Sequence, residues 1–462
     1  MKRNILYTAY LYPPVGGLGL PGAQRIVKFV RNLECSSAHV LTVKTECYHS
    51  YALLDNEVKL PVNRESIYRT NVFDVFDILL KIKKIFLGKK KSGRSHTSNK
   101  GTETSLGKSS DIWYEHRSRS LWQKLKDFIS DVFCFPDSSS SWIIPAVYNG
   151  LKIVKKQGIT VIFATGSPWS ALTVAYMINK FSGVPFVADF RDPWLDNPFH
   201  VSKGKLLDGL SVKLERVIIR SASIVSANTE ELRESFLKRY PEIKPDKFIT
   251  LPNGYDVSDY RHISSLSESE TGVDKREQLV LAHAGFLYGT RDPSPIIHAI
   301  KKLSNSENGY GDIIFMQIGK ISLNYDFNEK FKDLLADKKI ILIDQLPYQE
   351  CLQKLIKADV LLNIQPKTMT QVPSKIYDYV CLNLPILTIT PLDGALGNMI
   401  KRYGLGYIFA PDDVDGISSC LLELLETKQR NGKLTMEYEN KDVFDIKKIA
   451  NTLSERLTSI GL

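Results

Sequence analysis

The chain has 462 residues, of which 43% are hydrophobic and 24% charged. That is enough for two cores of ordinary domain size in a soluble globular protein. No run reaches about 18 apolar residues, and the early run "ILYTAYLY" passes into "PPVGGLG" without a small-residue cleavage site; neither a spanning helix nor a secretory leader is expected, and the chain reads as cytoplasmic. Six cysteines, at 35, 47, 134, 351, 381 and 420, form no CxxC pair, which speaks against a zinc site or a disulfide framework, and the formal charge of +10 is unevenly placed.

The first strand, "NILYTAYLY", leads into "YPPVGGLGLPGAQRIVKFV". Gly16, Gly17 and Gly19 would let backbone approach a ligand ahead of a helix whose first amides can meet an anion, although the spacing is not GxGxxG and a flexible loop reads equally. After the second strand, "HVLTVKT", comes a segment of another composition. Lys81 to Lys100 holds eight Lys/Arg and no acidic residue, then runs into the Ser/Thr/Gly-rich "GTETSLGKSS". Basic residues beside the apolar turn "ILLKIKKIF" suit an anionic membrane surface, and sparse aromatics argue against nucleic acid; a solvated loop is the plain alternative.

The strand "TVIFAT" precedes "GSPWSALTVAYMI", in which Ser167 is expected to cap a helix with Pro168 at its first position and Trp169 near the site. The strand "PFVADF" precedes "RDPWLDNP". There Arg191 and Asp192 form either a structural ion pair or a functional pair at the mouth of a sheet. Asp189 falls inside that strand and Asp192 after it, so the two are not expected to share a metal. "SIVSAN" and "FITLPN" complete a first group of six strands. The polar stretch "DVSDYRHISSLSESETGVDKREQ" separates them from a second six: "LVLAHAGFL", "IIFMQIG", "IILIDQL", "DVLLNIQ", "PILTIT" and "GYIFA". Strands alternating with helical patterns imply parallel sheets covered by helices, with ligands at the carboxyl ends of the strands.

Two stretches of the second group carry chemistry. In "LAHAGFLYGTRDPSPIIHAI", Gly285, Gly289 and Arg291 precede a helix expected to start near Pro293, a combination suited to a diphosphate. In "QVPSKIYDYVCLNLPILTI", a helix starting near Pro373 places Lys375 and Asp378 on one face. They are either a solvent-facing ion pair, or a second diphosphate cation and a carboxylate for the two hydroxyls of a ribose.

Taken together, "YPPVGGLG", "FRDPW", "LPNGYD", "AGFLYGTRDP" and "VPSKIYDYVCLNLPIL" resemble, in order and spacing, a GT-B glycosyltransferase of the family 4 type. The resemblance implies an α/β protein of two Rossmann-like domains facing across a cleft. An acceptor-side domain is expected over 1–255, with the basic insert at about 81–110. A nucleotide-sugar domain is expected over 256–440, and a helix in 441–462 would cross back. It further implies metal-independent transfer, usually retaining, from a UDP- or GDP-sugar to a saccharide or polyprenyl-linked saccharide, in bacterial surface polysaccharide synthesis at the inner face of the cytoplasmic membrane. The donor is a substrate; no cofactor, metal or nucleic acid is expected.

By the same resemblance, Arg291 and Lys375 match the diphosphate cations, and Asp378 matches the second acidic residue of an E-x7-E element. Thr370 stands where the first glutamate would be. Gly17 matches the loop that approaches donor and acceptor, Arg191 and Asp192 match the position near the reaction centre, and Gly285, in the loop before Arg291, is taken with the donor-binding residues. Two other readings remain: a UDP-sugar epimerase, for which only His283 is suitably placed, and a non-catalytic nucleotide-sugar-binding membrane scaffold.

Overall fold

Each of the twelve apolar runs forms a strand. The computed structural model describes residues 3–16, 20–48, 64–73, 128–197, 202–260, 278–304 and 312–462. The first seven strands are β1 (Asn4–Thr8), β2 (Ser37–Val43), β3 (Glu65–Thr70), β4 (Val161–Gly166), β5 (Phe186–Phe190), β6 (Ile224–Ala227) and β7 (Phe248–Thr250). They build one parallel sheet in the order β3-β2-β1-β4-β5-β6-β7. Then come β8 (Gln278–Ala284), β9 (Leu287–Tyr288), β10 (Asp312–Ile318), β11 (Ile321–Ser322), β12 (Ile340–Ile343), β13 (Val360–Ile364), β14 (Ile386–Ile389) and β15 (Tyr407–Phe409). Six of these form a second parallel sheet, β12-β10-β8-β13-β14-β15, while β9 and β11 pair with each other.

The unexpected member is β3. "ESIYRT" is a half-buried edge strand that mixes polar and apolar positions, so it has no continuous apolar run to mark it. In both sheets the chain first moves outward on one side and then restarts next to the first strand. This creates switch points between β1 and β4 and between β8 and β13, where a crevice opens at the carboxyl ends.

The first sheet is covered on both faces. Leu6, Ile162, Ala188 and Val225 pack with the helices Ile143–Gln157 and Trp169–Ser182. Ile5, Tyr7, Phe163 and Val187 pack with the helix Leu20–Asn32. The last helix, Ile446–Ser459, joins this second layer by burying Ile446, Ile449, Leu453 and Leu457 against Ile26 and Phe29, each worth about 1.5–3 kcal/mol. Its start is fixed to the junction between the sheets: Tyr255 N–H donates to Phe444 O, and Ile446 N–H to Tyr255 O, both at 2.9 Å. The basic insert lies outside the described residues. No helix among the described residues is long and apolar enough to cross a membrane. None of the six cysteines is disulfide-bonded; Cys420 is buried and the others are half-buried.

Candidate functional site

On the first-domain side the site rests on a buried charge. Asp189, in β5, accepts from Arg25 Nε at 3.1 Å, Arg25 Nη2 at 2.7 Å, Thr165 Oγ1 at 2.8 Å and Ser226 Oγ at 2.6 Å. With every strong acceptor direction taken, Asp189 is part of the floor and has no free face for a ligand. Arg25 also donates to Leu251 O at 2.9 Å and to Pro252 O, so the same carboxylate ties the helix Leu20–Asn32 to the junction.

Arg191 stands on this floor. Its Nε donates to Thr165 Oγ1 at 3.1 Å and its Nη2 to Ser167 O, while burial lowers its pKa. A Cβ on Gly22 would lie 3.1 Å from Nη2, so the helix Leu20–Asn32 approaches the guanidinium closely at a residue with no side chain. Gly17 lies outside the described residues. Ser167 is not the cap of the following helix. That role falls to Pro168, and the helix begins at Trp169, whose indole stacks on Trp194 at 4.9 Å with a 3° interplanar angle.

Arg191 and Asp192 do not bond to one another. Asp192 Oδ1 accepts from Gln371 Nε2, in the loop after β13, at 3.2 Å. Burial raises the Asp192 pKa, opposed by the charges of Arg191 and of Arg291 from the second domain. Thr370 joins the same bridge through its backbone: its carbonyl accepts from Thr229 Oγ1 at 2.7 Å, and Asn398 Nδ2 donates to Glu231 Oε1 at 2.9 Å nearby.

Across the cleft, β8 ends in His283 and Ala284, and Gly285 follows. Gly285 has φ of +122°, in the region that favours glycine. Gln317, at the end of β10, donates from Nε2 to Gly285 O at 2.7 Å and to Gly319 O at 3.2 Å. Its Oε1 therefore faces His283 Nδ1, at 2.7 Å. A carboxamide oxygen can only accept, so Nδ1 carries the proton and Nε2 presents its lone pair to Lys375 Nζ, 2.5 Å away. Lys375 Nζ also donates to Ala284 O at 3.2 Å. Burial and then Arg291 hold Lys375 well below the usual lysine range; burial and then Lys375 do the same to His283.

Lys375 opens the helix Lys375–Cys381, two residues later than expected from Pro373, and it does not pair with Asp378. Both side chains turn inward, in different directions. Asp378 Oδ1 accepts from Tyr260 Oη at 2.5 Å and Tyr348 Oη at 3.0 Å, so a solvent-facing ion pair is ruled out. Arg291 follows β9 and lies over the Tyr288 ring, 5.0 Å from its centroid, with Nε buried and unpartnered among the described residues. At the start of the neighbouring helix, Ser294–Ser304, Asp292 Oδ1 accepts from Ser294 N–H at 2.8 Å, so one carboxylate already caps this end. Among the described residues no carboxylate pairs with Arg291 or Lys375.

Two cavities open at the carboxyl edge of the second sheet. One, of about 550 Å³, lies by Gly319, Lys320, Leu342 and Asp344. The other, of about 320 Å³, lies by Thr290, Asp292, Ile364 and Pro366. Sequence reasoning did not single out Thr165, Gly22, Gln317, Gln371, Tyr260 or Tyr348. For Gln317 a signal existed: it is a polar residue at the carboxyl end of the otherwise apolar run "IIFMQIG".

Residues 114–259 match the family model described as Glycosyltransferase Family 4. No curated protein matches at the sequence level. Among solved structures, the chain is similar over its whole length to sucrose-phosphate synthase from Thermosynechococcus elongatus, at 12% identity and TM-score 0.54, covering 100% of this chain and 99% of that one. It is similar also to the apo form of the lipopolysaccharide outer core galactosyltransferase WaaB, at 13% and 0.52 with both chains covered completely. Trehalose-6-phosphate synthase OtsA matches at 10% and 0.56, with 99% of each chain covered. At these identities the likeness is one of fold. The chain has the GT-B fold, two Rossmann-like domains facing across a cleft, and resembles family 4 glycosyltransferases, whose family model it matches within its first domain.

Proposed function

We propose that the protein is a glycosyltransferase that moves a sugar from a nucleotide-diphosphate sugar, UDP or GDP, to a saccharide or polyprenyl-linked saccharide, with retention and without a metal. The observation that carries this reading is the convergence of Arg291 and Lys375 beside Gly285. Two basic side chains without a carboxylate partner among the described residues, Arg291 with a buried unpartnered Nε and Lys375, face Arg191 and Asp192 across the cleft. Neither basic group is in contact with a carboxylate, and a diphosphate supplies that partner.

Breaking a sugar–phosphate bond builds positive charge on the ring and negative charge on the departing diphosphate. Cations fixed in place before the reaction stabilise that transition state most. Arg291 and Lys375 are assigned to the diphosphate and Gly285 to the close approach of backbone. Asp378 is assigned to the ribose through Oδ2, its Oδ1 being held by two phenols. Arg191, Asp192 and Gly17 are assigned to the reaction centre, and the backbone of Thr370 holds the loop that carries Gln371. His283 is fully buried and held by Gln317 and Lys375, which favours transfer over epimerisation, since it does not project toward a sugar.

The basic insert supports a membrane-borne acceptor, in surface polysaccharide synthesis at the cytoplasmic face of a bacterial membrane. The test is a thermal-shift screen with UDP-, GDP-, ADP- and CMP-sugars. A ligand at 100 times its Kd adds about 2.7 kcal/mol to stability. One class of donor should raise Tm in the wild type and lose most of the effect in Arg291→Ala; no shift with any donor overturns the reading.

A further inference from the structure

The hydrogen bonds around Lys375 fix more than its position. Gln317 has both amide protons committed to Gly285 and Gly319, so its oxygen is the group that meets His283 Nδ1. His283 is thereby set with Nδ1–H donating and Nε2 accepting. Its partner on that side, among the described residues, is Lys375 Nζ, so the two nitrogens form one hydrogen-bonded pair. The charged and titratable groups around the pair come from every element packed on it. Arg291, from the loop after β9, adds positive charge, while Cys351, from the helix Tyr348–Leu355, is the thiol that faces Lys375. Asp378, on the helix of Lys375 itself, is turned toward Tyr260 and Tyr348, and Asp192 faces Arg291 and Gln371. No carboxylate among the described residues compensates the pair, and burial and Arg291 both oppose an added proton there.

We propose that Lys375 and His283, clamped by Gln317, form a proton-accepting dyad that takes up a proton from solvent when a nucleoside diphosphate binds, with His283 as the residue that positions Lys375. The inference rests on the assignment of Lys375 to the donor diphosphate. Balance is simple: solvent supplies one proton, which joins the Nζ–Nε2 pair, and the nucleotide's added negative charge holds it there. His283 acts through Lys375 and does not touch the substrate. Binding should therefore tighten as pH falls toward the range in which the empty dyad titrates, and level off below it, where the empty dyad already holds the proton. The linked release of that proton would also make product departure easier in alkaline solution.

The experiment is isothermal titration calorimetry of the full chain with UDP and with GDP at pH 8, in HEPES and in Tris. At this pH the terminal phosphate, with its second pKa of about 6, is already ionised and contributes no uptake of its own. The slope of observed enthalpy against buffer ionisation enthalpy counts protons, and the account expects about one taken up by the wild type. In Lys375→Met, checked for folding by circular dichroism, and in His283→Gln, the count should fall close to zero, with the loss of pH dependence in affinity. Tight binding of either nucleotide without proton uptake overturns the dyad and leaves the glycosyltransferase reading standing. Unchanged uptake in His283→Gln overturns the role of His283. Failure of both nucleotides to bind sinks the donor-site assignment itself, and the dyad with it.

Discussion

Replacing Asp189 by alanine should unfold the first domain at a much lower temperature. The carboxylate lies fully buried and accepts four hydrogen bonds, two of them from Arg25, which is equally buried. Without it, the Arg25 guanidinium keeps only the carbonyls of Leu251 and Pro252, and two hydroxyls lose their acceptor. Leaving one partner of a buried pair uncompensated costs about 3–5 kcal/mol. In a domain of this size, at about 2–4 °C per kcal/mol, Tm should fall by roughly 10 °C. Tryptophan fluorescence reports the right domain, since Trp169 stacks on Trp194 beside β5. Two controls separate the mechanism from general fragility. The joint replacement Arg25→Met with Asp189→Leu removes both charges and should recover most of the loss, because apolar groups of similar volume can replace a buried pair. Asp415→Asn breaks the exposed contact with Lys302 and should leave Tm unchanged. An Asp189→Ala protein melting within about 2 °C of the wild type would refute the reasoning.

The catalytic assignments make separable predictions in steady-state kinetics. Lys375→Ala should lower kcat/KM about 10²-fold or more, as loss of a transition-state cation does; near-normal turnover removes Lys375 from the site. Asp378→Asn should act mainly through the donor KM, because contacts to a ribose are made in ground and transition states alike, and a fall confined to kcat would contradict that role. A pH effect on stability belongs to Glu215. Burial pushes its carboxyl up to about 7, with Oε2 unpartnered among the described residues and Oε1 accepting from Tyr240 Oη at 2.6 Å and Arg239 Nη1 at 2.8 Å. The folded state thus holds a proton that the unfolded chain releases near pH 4.3, and the resulting stability, complete below that pH, is lost as pH rises through 7. Urea midpoints of the wild type should decline between pH 5.5 and 8 more than those of Glu215→Gln; parallel profiles exclude this group as the cause.

How much of this was legible in the sequence depends on whether a residue's partner is near it in the chain. The twelve apolar runs were visible because parallel strands covered on both faces must be continuously apolar, whereas β3 is a half-buried edge strand and hid its pattern. Arg291, Lys375 and Gly285 could be grouped from the sequence because each falls in a loop after a predicted strand, and the fold does bring them together. Their settings were not. Lys375 and Asp378 look paired along the helix, and only the fold brings His283 to one and Tyr260 with Tyr348 to the other. Likewise Thr165 and Arg25, 24 and 164 positions from Asp189, give no local sign that they share its carboxylate. At the N-terminus of the helix Ser294–Ser304, read as suited to an anion, the cap from Asp292 to Ser294 N–H was not foreseen.

The central claim is transfer of a sugar from a nucleotide-diphosphate donor. The direct measurement follows a donor carrying a labelled sugar, chosen by the thermal-shift screen, with bacterial membranes as the source of acceptor. Nucleoside diphosphate and labelled product are quantified in the same reaction. The account predicts one nucleoside diphosphate released for each sugar that enters the saccharide or lipid-linked fraction, with both yields falling together in Arg291→Ala. Conversion of the donor to an isomeric sugar nucleotide, with no nucleoside diphosphate released and no label in acceptor, would contradict it.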